Sequence, residues 1–420
     1  MIGKGALREV RKTFTSLSVH NYRLFFTGQV ISANGTWMQQ VAQSWLVLHL
    51  THSALALGVT SALQFSPVLI AGTWGGVIAD RVDKRKALFL TQAGFGLNSA
   101  VAATLVLSGH ANVWTAWAFA LAGGCVRVFD NPIRQSFASE MVGPKLVANA
   151  VSLNSTVFTS ARIIGPSIAG GLISFFGIGW CFVIDACSYA AVITALSLMH
   201  PQELFRSTRA RSHTSGFRQI IEGLRYAWGD PELRMPLLMM AAVGMLAINF
   251  NVLLPLVATR VFHGSAGLYG VLYSMMGIGA LCGALYSANR ARPTLLLLVG
   301  AATTFGACLL LAAGMPILPL EFLVLIPLGA AMTVYQAGTN SSLQLRAKPE
   351  FRGRIISLYV LLFNGTTPIG GPIVGWIAQQ WGARVGLAVG GTTALLVGAV
   401  GFLWLRARRN AARANLTAAS

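Results

Sequence analysis

Gly75-Gly76-Val77-Ile78-Ala79-Asp80-Arg81-Val82-Asp83-Lys84-Arg85-Lys86 joins two long apolar runs. Six of the seven residues from 80 to 86 are charged, although only 10% of the chain is charged. A dense charge cluster between apolar runs of this length is typical of a short loop at a membrane surface. We therefore interpret 80–86 as the loop between two membrane spans.

The composition supports this interpretation. Of the 420 residues, 55% are hydrophobic, and the mean hydropathy is +0.64, which is too apolar for a soluble globule. The sequence predicts an all-α polytopic membrane protein. The net charge of +19 would favour nucleic-acid binding in a soluble protein, but charges in short loops set membrane topology instead. We expect the lipid bilayer as a partner and no nucleic acid.

A helix needs roughly 20 mainly apolar residues to cross about 30 Å of hydrocarbon. Twelve runs meet this need, which places both ends of the chain on one side. The predicted spans are 24–48, 54–79, 87–108, 113–133, 148–175, 179–199, 235–258, 267–287, 294–314, 318–342, 355–379 and 385–405.

The longest loop, 200–234, is polar and carries six arginines. It predicts a linker between two six-helix bundles, 24–199 and 235–405. Most Lys and Arg residues lie in loops on one side, and only Arg260 and Arg384 fall in opposite loops. The positive-inside rule then makes the linker, the N-terminal segment 1–23 and the tail 406–420 cytoplasmic.

The two bundles resemble one another. Gly165-Pro166 recurs as Gly371-Pro372 at an offset of 206, and Gly283 to Arg292 is a second copy of the charged loop at 207. In that copy Ser287 replaces Asp80. The pattern predicts two pseudo-symmetric halves, and such repeats in transporters place the substrate path at their interface near the bilayer midplane.

Two groups of charges are candidate functional residues. In the loop, Gly75 and Gly76 permit close helix approach, and Asp80 is an acid at a span end, where charge is costly. Arg81, Lys84 and Arg85 either act with Asp80 or merely anchor the loop. Within spans, Arg127 and Asp130 share a helical face and can neutralise each other, functionally or as a structural pair. Arg162 has no acid within a turn, so its partner must be another helix or substrate.

Further candidates lie in the apolar runs. Gly165, Pro166, Gly170 and Gly171 predict a kinked helix suited to sliding, or simply to packing. Asp185 and Glu321, near outer span ends, either carry a coupling proton or extend to the interface. Polar residues of the first span should face the bundle interior or a wet cavity. Those of the second half supply similar groups, although some of them should form ordinary interhelical hydrogen bonds. The candidate cavity residues are Gln29, Thr36, Gln40, Gln43, Asn249, Tyr335, Gln336 and Asn364.

No ATP-type phosphate loop, zinc-binding helix motif or nucleophile elbow is visible in the sequence. We therefore predict no enzyme activity, no cofactor and no metal site.

Several stretches together resemble a known family. The loop from Gly76 to Arg85 resembles the signature between helices two and three of the major facilitator superfamily. More narrowly, the chain resembles the drug:proton antiporter-3 group of bacterial exporters, which includes enterobactin-exporter-like and macrolide-efflux-like proteins. The stretches concerned are Asn21 to Phe26, Trp37 to Gln40, Leu50 to Ser53, Arg127 to Gln135 and Arg162 to Gly170.

The resemblance implies a twelve-helix rocker-switch exporter that moves a small molecule outward against proton entry. It also implies a conformational latch, in which Asp80 faces the start of the eleventh helix and Lys84 or Arg85 pairs with Asp130. We expect a monomeric, proton-coupled exporter of small amphiphilic molecules, such as drugs or secreted metabolites, in the bacterial inner membrane. The alternatives are an importer or uniporter of a polar solute, or a non-transporting receptor or scaffold.

Overall fold

A computed structural model describes residues 14–79, 81–205, 216–290 and 293–419. These residues form helices and connecting turns, and no strand occurs among them. This outcome follows from the apolar composition, because a helix satisfies its backbone N–H and C=O groups within one segment and needs no water to do so. Asp80 lies outside the described residues, as do 1–13 and 206–215.

The chain divides into two compact units, Met1–Thr51 with Ser66–Thr214 and His52–Phe65 with Ser215–Ser420. The helices up to the linker are α1 His20–Thr51, α2 Ala54–Ala79, α3 Lys84–Leu107, α4 Val113–Val142, α5 Val147–Phe176 and α6 Gly179–Leu198. Those that follow are α7 Gly216–Gly229, α8 Pro231–Leu246, α9 Phe250–Leu256, α10 Ala266–Ala288, α11 Leu295–Gly314, α12 Leu318–Arg346, α13 Arg352–Gly365, α14 Thr367–Trp381 and α15 Ala383–Ala419. Helix α2 contributes its first part to the second unit.

Ten helical segments in the described part of the chain are long and apolar enough to cross a membrane. Helices α1 and α4 have 32 and 30 residues but are not among these ten, and both carry buried polar side chains. The all-α polytopic architecture is therefore confirmed, whereas the number of twelve spans stays a prediction.

Two predicted spans are interrupted. The seventh, 235–258, becomes α8, α9 and a π-helical turn at Val257–Val261. The side-chain amide of Asn249 donates to the Met245 carbonyl at 2.8 Å, and such side-chain bonds compete with the helical ladder. The eleventh is divided at Thr366, two residues before Pro368, which disfavours continuation of the preceding turn.

The predicted linker contains a helix, α7. Its Tyr226 ring stacks on Phe351 with centroids 4.2 Å apart, and Glu222 pairs with Arg354 of α13 at 3.0 Å. The tail is also helical, because α15 continues past residue 405 to Ala419. The charged and polar composition of the linker and of the tail predicted that both lie outside the membrane spans. It did not predict that both contain helix.

The internal repeat is visible in the backbone. Gly177 and Gly382 end α5 and α14 with φ of +92° and +90°, a conformation that glycine adopts without steric cost. Among the described residues, the only non-glycine residues with positive φ are His52 and His263. Each comes just before the second long helix of its half, α2 or α10.

Candidate functional site

Buried carboxylates and half-buried arginines of the first unit lie on α4 and α6, and several of them bond to α1 and α3. We call Asp185, Arg127, Asp130 and Arg134 the charge line. Asp130 and Asp185 are 2% and 1% exposed. Buried charges persist only where they are paired or hydrogen-bonded, so each member of this line needs specific partners.

Asp130 lies at one end of the charge line. Its Oδ1 accepts hydrogen bonds from the Thr91 hydroxyl at 2.8 Å and the Gln92 amide at 2.7 Å. Its Oδ2 pairs with Arg134, one helical turn further along α4. Arg134 also donates to the side-chain oxygen of Gln29 on α1. Two polar neighbours on α3 and a cation on its own helix therefore compensate this carboxylate.

Asp185 lies at the other end. The Ser99 hydroxyl of α3 donates to its Oδ2 at 2.5 Å, whereas Oδ1 has no hydrogen-bond partner among the described residues. A Cβ atom at Gly35 of α1 would lie 2.9 Å from that Oδ1 and 2.5 Å from the Ser188 hydroxyl oxygen. Because Gly35 has no side chain, the Asp185 carboxylate can occupy this space.

Both carboxylates interact with the same cation, Arg127. Thr91 and Ser99 are eight residues apart on α3, which places their carboxylate partners about 12 Å apart along the helix axis. Arg127 interacts electrostatically with both Asp130 and Asp185. Beside it, the Tyr189 hydroxyl lies 3.3 Å from that of Thr36, and its ring stacks on Phe95. Charge therefore alternates in sign through the interior of this unit.

The charged loop has other partners than predicted. Lys84 pairs with Glu140 near the end of α4, and Arg85 donates to the carbonyls of Leu196 and Ser197 at 2.7 and 3.2 Å. The expected pairing of Lys84 or Arg85 with Asp130 is therefore wrong. Asp130 lies about 15 Å before Glu140 along α4 and is compensated locally. Arg81 is exposed.

Asp80 falls outside the described residues, so its role in a latch stays a prediction. Gly75 packs directly against the Val128 carbonyl of α4, but a Cβ at Gly76 would meet no described atom within 4 Å. Close approach is therefore made by Gly75 and not by Gly76.

Helix α5 contacts α1 through Gly165. A Cβ there would lie 2.7 Å from the Trp37 Cβ and 3.0 Å from the Asn34 carbonyl oxygen. Pro166 and Gly170 are buried in the same helix, whereas Gly171 faces open space. The Arg162 guanidinium lies 5.7 Å from the centroid of the Trp37 ring, a cation–π contact.

The polar side chains of α1 form hydrogen bonds within the first unit. Gln43 is buried, accepts from the Gln39 amide at 2.7 Å and donates to the Ala116 carbonyl of α4. Gln29 is buried against Arg134, and Gln40 is half-buried. Gln29 and Gln43 are therefore buried in the interior of their unit, where interhelical hydrogen bonds satisfy them.

Candidate residues of the second unit are dispersed. Asn249 bonds to the helix turn before it, and Asn364 bonds to the Val360 carbonyl at 3.3 Å. The Gln336 carbonyl accepts from the Tyr359 hydroxyl at 3.1 Å, while the buried Tyr335 hydroxyl has no hydrogen-bond partner in the described part of the chain.

Glu321 is 1% exposed in the first turn of α12. Neither of its carboxylate oxygens has a hydrogen-bond partner within the described ranges. Arg384, which donates to the Met315 carbonyl at 2.9 Å, interacts with it electrostatically.

Sequence reasoning missed Glu140, Thr91, Gln92 and Ser99 as partners. The sequence of α3 indicates three of these partners. Adjacent Thr91 and Gln92 interrupt an apolar run, and Ser99 follows two helical turns later on the same face. Polar residues at that spacing indicate a stripe aimed at neighbouring helices.

The fold is that of solved membrane transporters. A mutant form of the nucleoside transporter NupG has a TM-score of 0.75 at 12% identity, covering 92% of this chain and 99% of that one. A bacterial homolog of the human lysosomal transporter Spinster, inward-facing and unoccupied, has a TM-score of 0.72 at 14% identity, covering 91% and 96%. At these identities the likeness shows a shared fold, that of polytopic membrane proteins of the major facilitator type.

Within that class the chain belongs to the transmembrane secretion effector family, whose profile matches residues 11–419. It is 24% identical to the staphyloferrin A transporter of Staphylococcus aureus, over 86% of this chain and 90% of that protein. It is 25% identical to the multidrug efflux pump Tap of Mycolicibacterium fortuitum, over 89% and 93%. It is 24% identical to the enterobactin exporter EntS of Shigella flexneri, over 90% of each.

Proposed function

We propose that this transporter exports small amphiphilic organic molecules in exchange for protons, by alternating access. The observation that carries the proposal is Asp185, a buried carboxylate with one oxygen that has no hydrogen-bond partner among the described residues. It interacts electrostatically with Arg127, which also interacts with the second buried carboxylate, Asp130. Intramembrane acids of this kind mark proton relays in transporters. We assign Asp185 as the group that exchanges the coupling proton.

The structure offers a physical reason for coupling at Asp185. When Asp185 is ionised, it interacts favourably with Arg127, and Arg127 is then shared between two carboxylates. When Asp185 is protonated, Arg127 is left to Asp130 alone. A proton arriving at Asp185 therefore removes one of the two negative charges that Arg127 interacts with, and such a two-state element can bias a conformational equilibrium.

The substrate class and direction rest on relatives and not on a bound molecule. Proteins of similar sequence include an enterobactin exporter and a multidrug efflux pump. We therefore propose amphiphilic metabolites and drugs as the substrate class. The protein would act as a monomer in the bacterial inner membrane. Both termini would lie in the cytoplasm, as the distribution of Lys and Arg favours.

The test uses purified protein in liposomes loaded with one of two probes, the lipophilic cation ethidium or the catecholate siderophore enterobactin. An inward proton gradient should accelerate efflux of at least one probe by about tenfold, equivalent to about 1.4 kcal/mol of activation free energy. A protonophore should abolish that acceleration. Saturable efflux that ignores the gradient would contradict antiport, uptake along the gradient would favour an importer, and no saturable flux of either probe would contradict the proposed substrate class.

A further inference from the structure

A groove of about 670 Å³ runs along the second unit between α10 and α11, with α12 as its floor. It starts at the loop that repeats the charged loop of the first half and has lost the equivalent of Asp80. All three helices are long and apolar enough to cross a membrane. The transport proposal above uses neither this groove nor this loop.

The groove is apolar along its length. Cys282 and Pro327 line it and are exposed, as are Gly300 and Thr304 of α11. Gly300 contributes no side chain, and a Cβ added there would meet nothing within 4 Å. In a spanning protein such a surface is in contact with hydrocarbon, so the natural occupant is an acyl chain.

The mouth of the groove is basic. The Arg290 guanidinium lies 5.0 Å from the centroid of the Tyr286 ring, and both side chains are exposed. The residues lining the groove include no Asp or Glu, and no carboxylate in the described ranges forms an ion pair with Arg290. The Thr294 hydroxyl, which caps α11, lies at the same end. An anionic group beside an acyl chain fits this arrangement.

We propose that the groove binds one anionic phospholipid of the cytoplasmic leaflet, with its phosphate against Arg290 and an acyl chain along Gly300 and Thr304. Basic pockets between membrane helices on the cytoplasmic side are suited to anionic headgroups. The second loop copy would thereby serve lipid binding in place of the latch predicted for the first copy. The proposal is independent of transport direction and substrate.

The experiment uses native mass spectrometry of the full-length protein in a mild detergent, with phosphatidylglycerol and phosphatidylcholine of identical chains. The wild type should retain phosphatidylglycerol about fivefold more than phosphatidylcholine, because one basic residue near a membrane surface contributes about 1 kcal/mol. Arg290→Gln should lower that ratio to about one. Arg409→Gln, a change at an exposed arginine of α15 on the same predicted side, should leave it unchanged.

Two variants test the acyl chain separately. Gly300→Leu and Thr304→Leu fill the groove and keep Arg290, so each should reduce retained phosphatidylglycerol by about fivefold, comparable to about 1 kcal/mol. Glycerol 1-phosphate, which has the headgroup charge and no chain, should not compete.

Equal retention of the two lipids by the wild type would overturn the proposal. So would full binding in both filled variants that remain monodisperse, because the headgroup alone would then be held at the surface. Competition by glycerol 1-phosphate would instead assign the site to a soluble anion, and this outcome would also overturn it.

Discussion

The fourth and tenth predicted spans, α4 and α12, are equivalent in the repeat and differ in charge. At the offset of 206, three members of the charge line correspond to neutral polar residues. Arg127, Asp130 and Arg134 in α4 become Thr333, Gln336 and Asn340 in α12. The same helix framework is therefore kept in both halves, while paired charge is kept in one. Helix packing does not need these charges, and their retention in one half favours a role in coupling.

The loop ends of the same helices differ as well. Glu140 in α4 holds Lys84 of the loop that follows α2. Its counterpart Arg346 has the opposite charge and pairs with Glu232 at the start of α8, where Arg408 of α15 also binds at 2.6 Å. The first loop is thus tied to its own bundle by an ion pair, whereas the equivalent end of α12 is tied to α8 and α15.

The largest expected effect comes from removing one partner of the buried pair. Asp130→Ala leaves the Arg134 side chain, only 13% exposed, without its carboxylate and should lower the free energy of unfolding by about 3 kcal/mol. Gln336→Ala, the equivalent change in the second half, keeps the backbone carbonyl that accepts from Tyr359 and should cost about 0.5 kcal/mol or less. Thermal unfolding of both purified variants measures the difference. Equal losses would mean that the charges do not distinguish the halves.

The next effect concerns transport. Asp185→Asn should reduce proton-driven efflux by on the order of 100-fold, because an amide cannot exchange the coupling proton. Substrate exchange without a proton gradient should stay within about twofold of wild type. Initial rates in proteoliposomes measure both activities, and Glu350→Gln makes the same chemical change at an exposed carboxylate as a control. Undiminished gradient-driven efflux in Asp185→Asn would remove this carboxylate from the mechanism.

A third effect separates two glycines of α5. Gly165→Ala places a methyl group 2.7 Å from the Trp37 Cβ and should destabilise the protein by about 1–3 kcal/mol. Gly171→Ala meets open space and should be neutral or stabilise by up to about 1 kcal/mol. The apparent melting temperatures of the two variants measure the contrast. If the two melt alike, α5 does not pack on α1 through Gly165.

The smallest effect concerns the loop. The Lys84 and Glu140 side chains are 13% and 11% exposed, and their coupling energy should be about 1 kcal/mol. A double-mutant cycle with Lys84→Gln and Glu140→Gln, read by thermal unfolding, measures it. The Arg408–Glu232 pair, more exposed at 47% and 33%, serves as the comparison and should couple less strongly. A coupling energy of zero for Lys84 and Glu140 would mean that the ion pair does not hold the loop.

Much of the architecture could be predicted from the sequence because each span must satisfy its own backbone in hydrocarbon. Apolar runs therefore indicated helices, and the repeated Gly-Pro pairs indicated two related halves. The interruption at Asn249 could not be predicted, because it depends on a side-chain amide bonding the turn before it. Helix α7 was missed because its packing on α13 depends on a face that composition alone does not reveal.

The candidate site was predicted in part. Asp130 and Arg127 were recognised as intramembrane charges, but spacing alone suggested that they pair with each other. In the structure Arg134, one turn later, forms the ion pair with Asp130, and α3 supplies two further donors. Asp185 was recognised as a candidate proton carrier, yet its link to Ser99 spans 86 residues of sequence and required the tertiary structure. Long-range partners of this kind follow from helix packing and not from local pattern.

The most direct measurement is substrate-triggered proton release from purified protein in weakly buffered solution, followed with a pH indicator dye. Ethidium or enterobactin, whichever is transported in liposomes, should release protons from the wild type and from Glu321→Gln, but not from Asp185→Asn. Equal release by Asp185→Asn and wild type, with loss in Glu321→Gln, would place coupling in the second half. That result would contradict the assignment of the proton to the charge line.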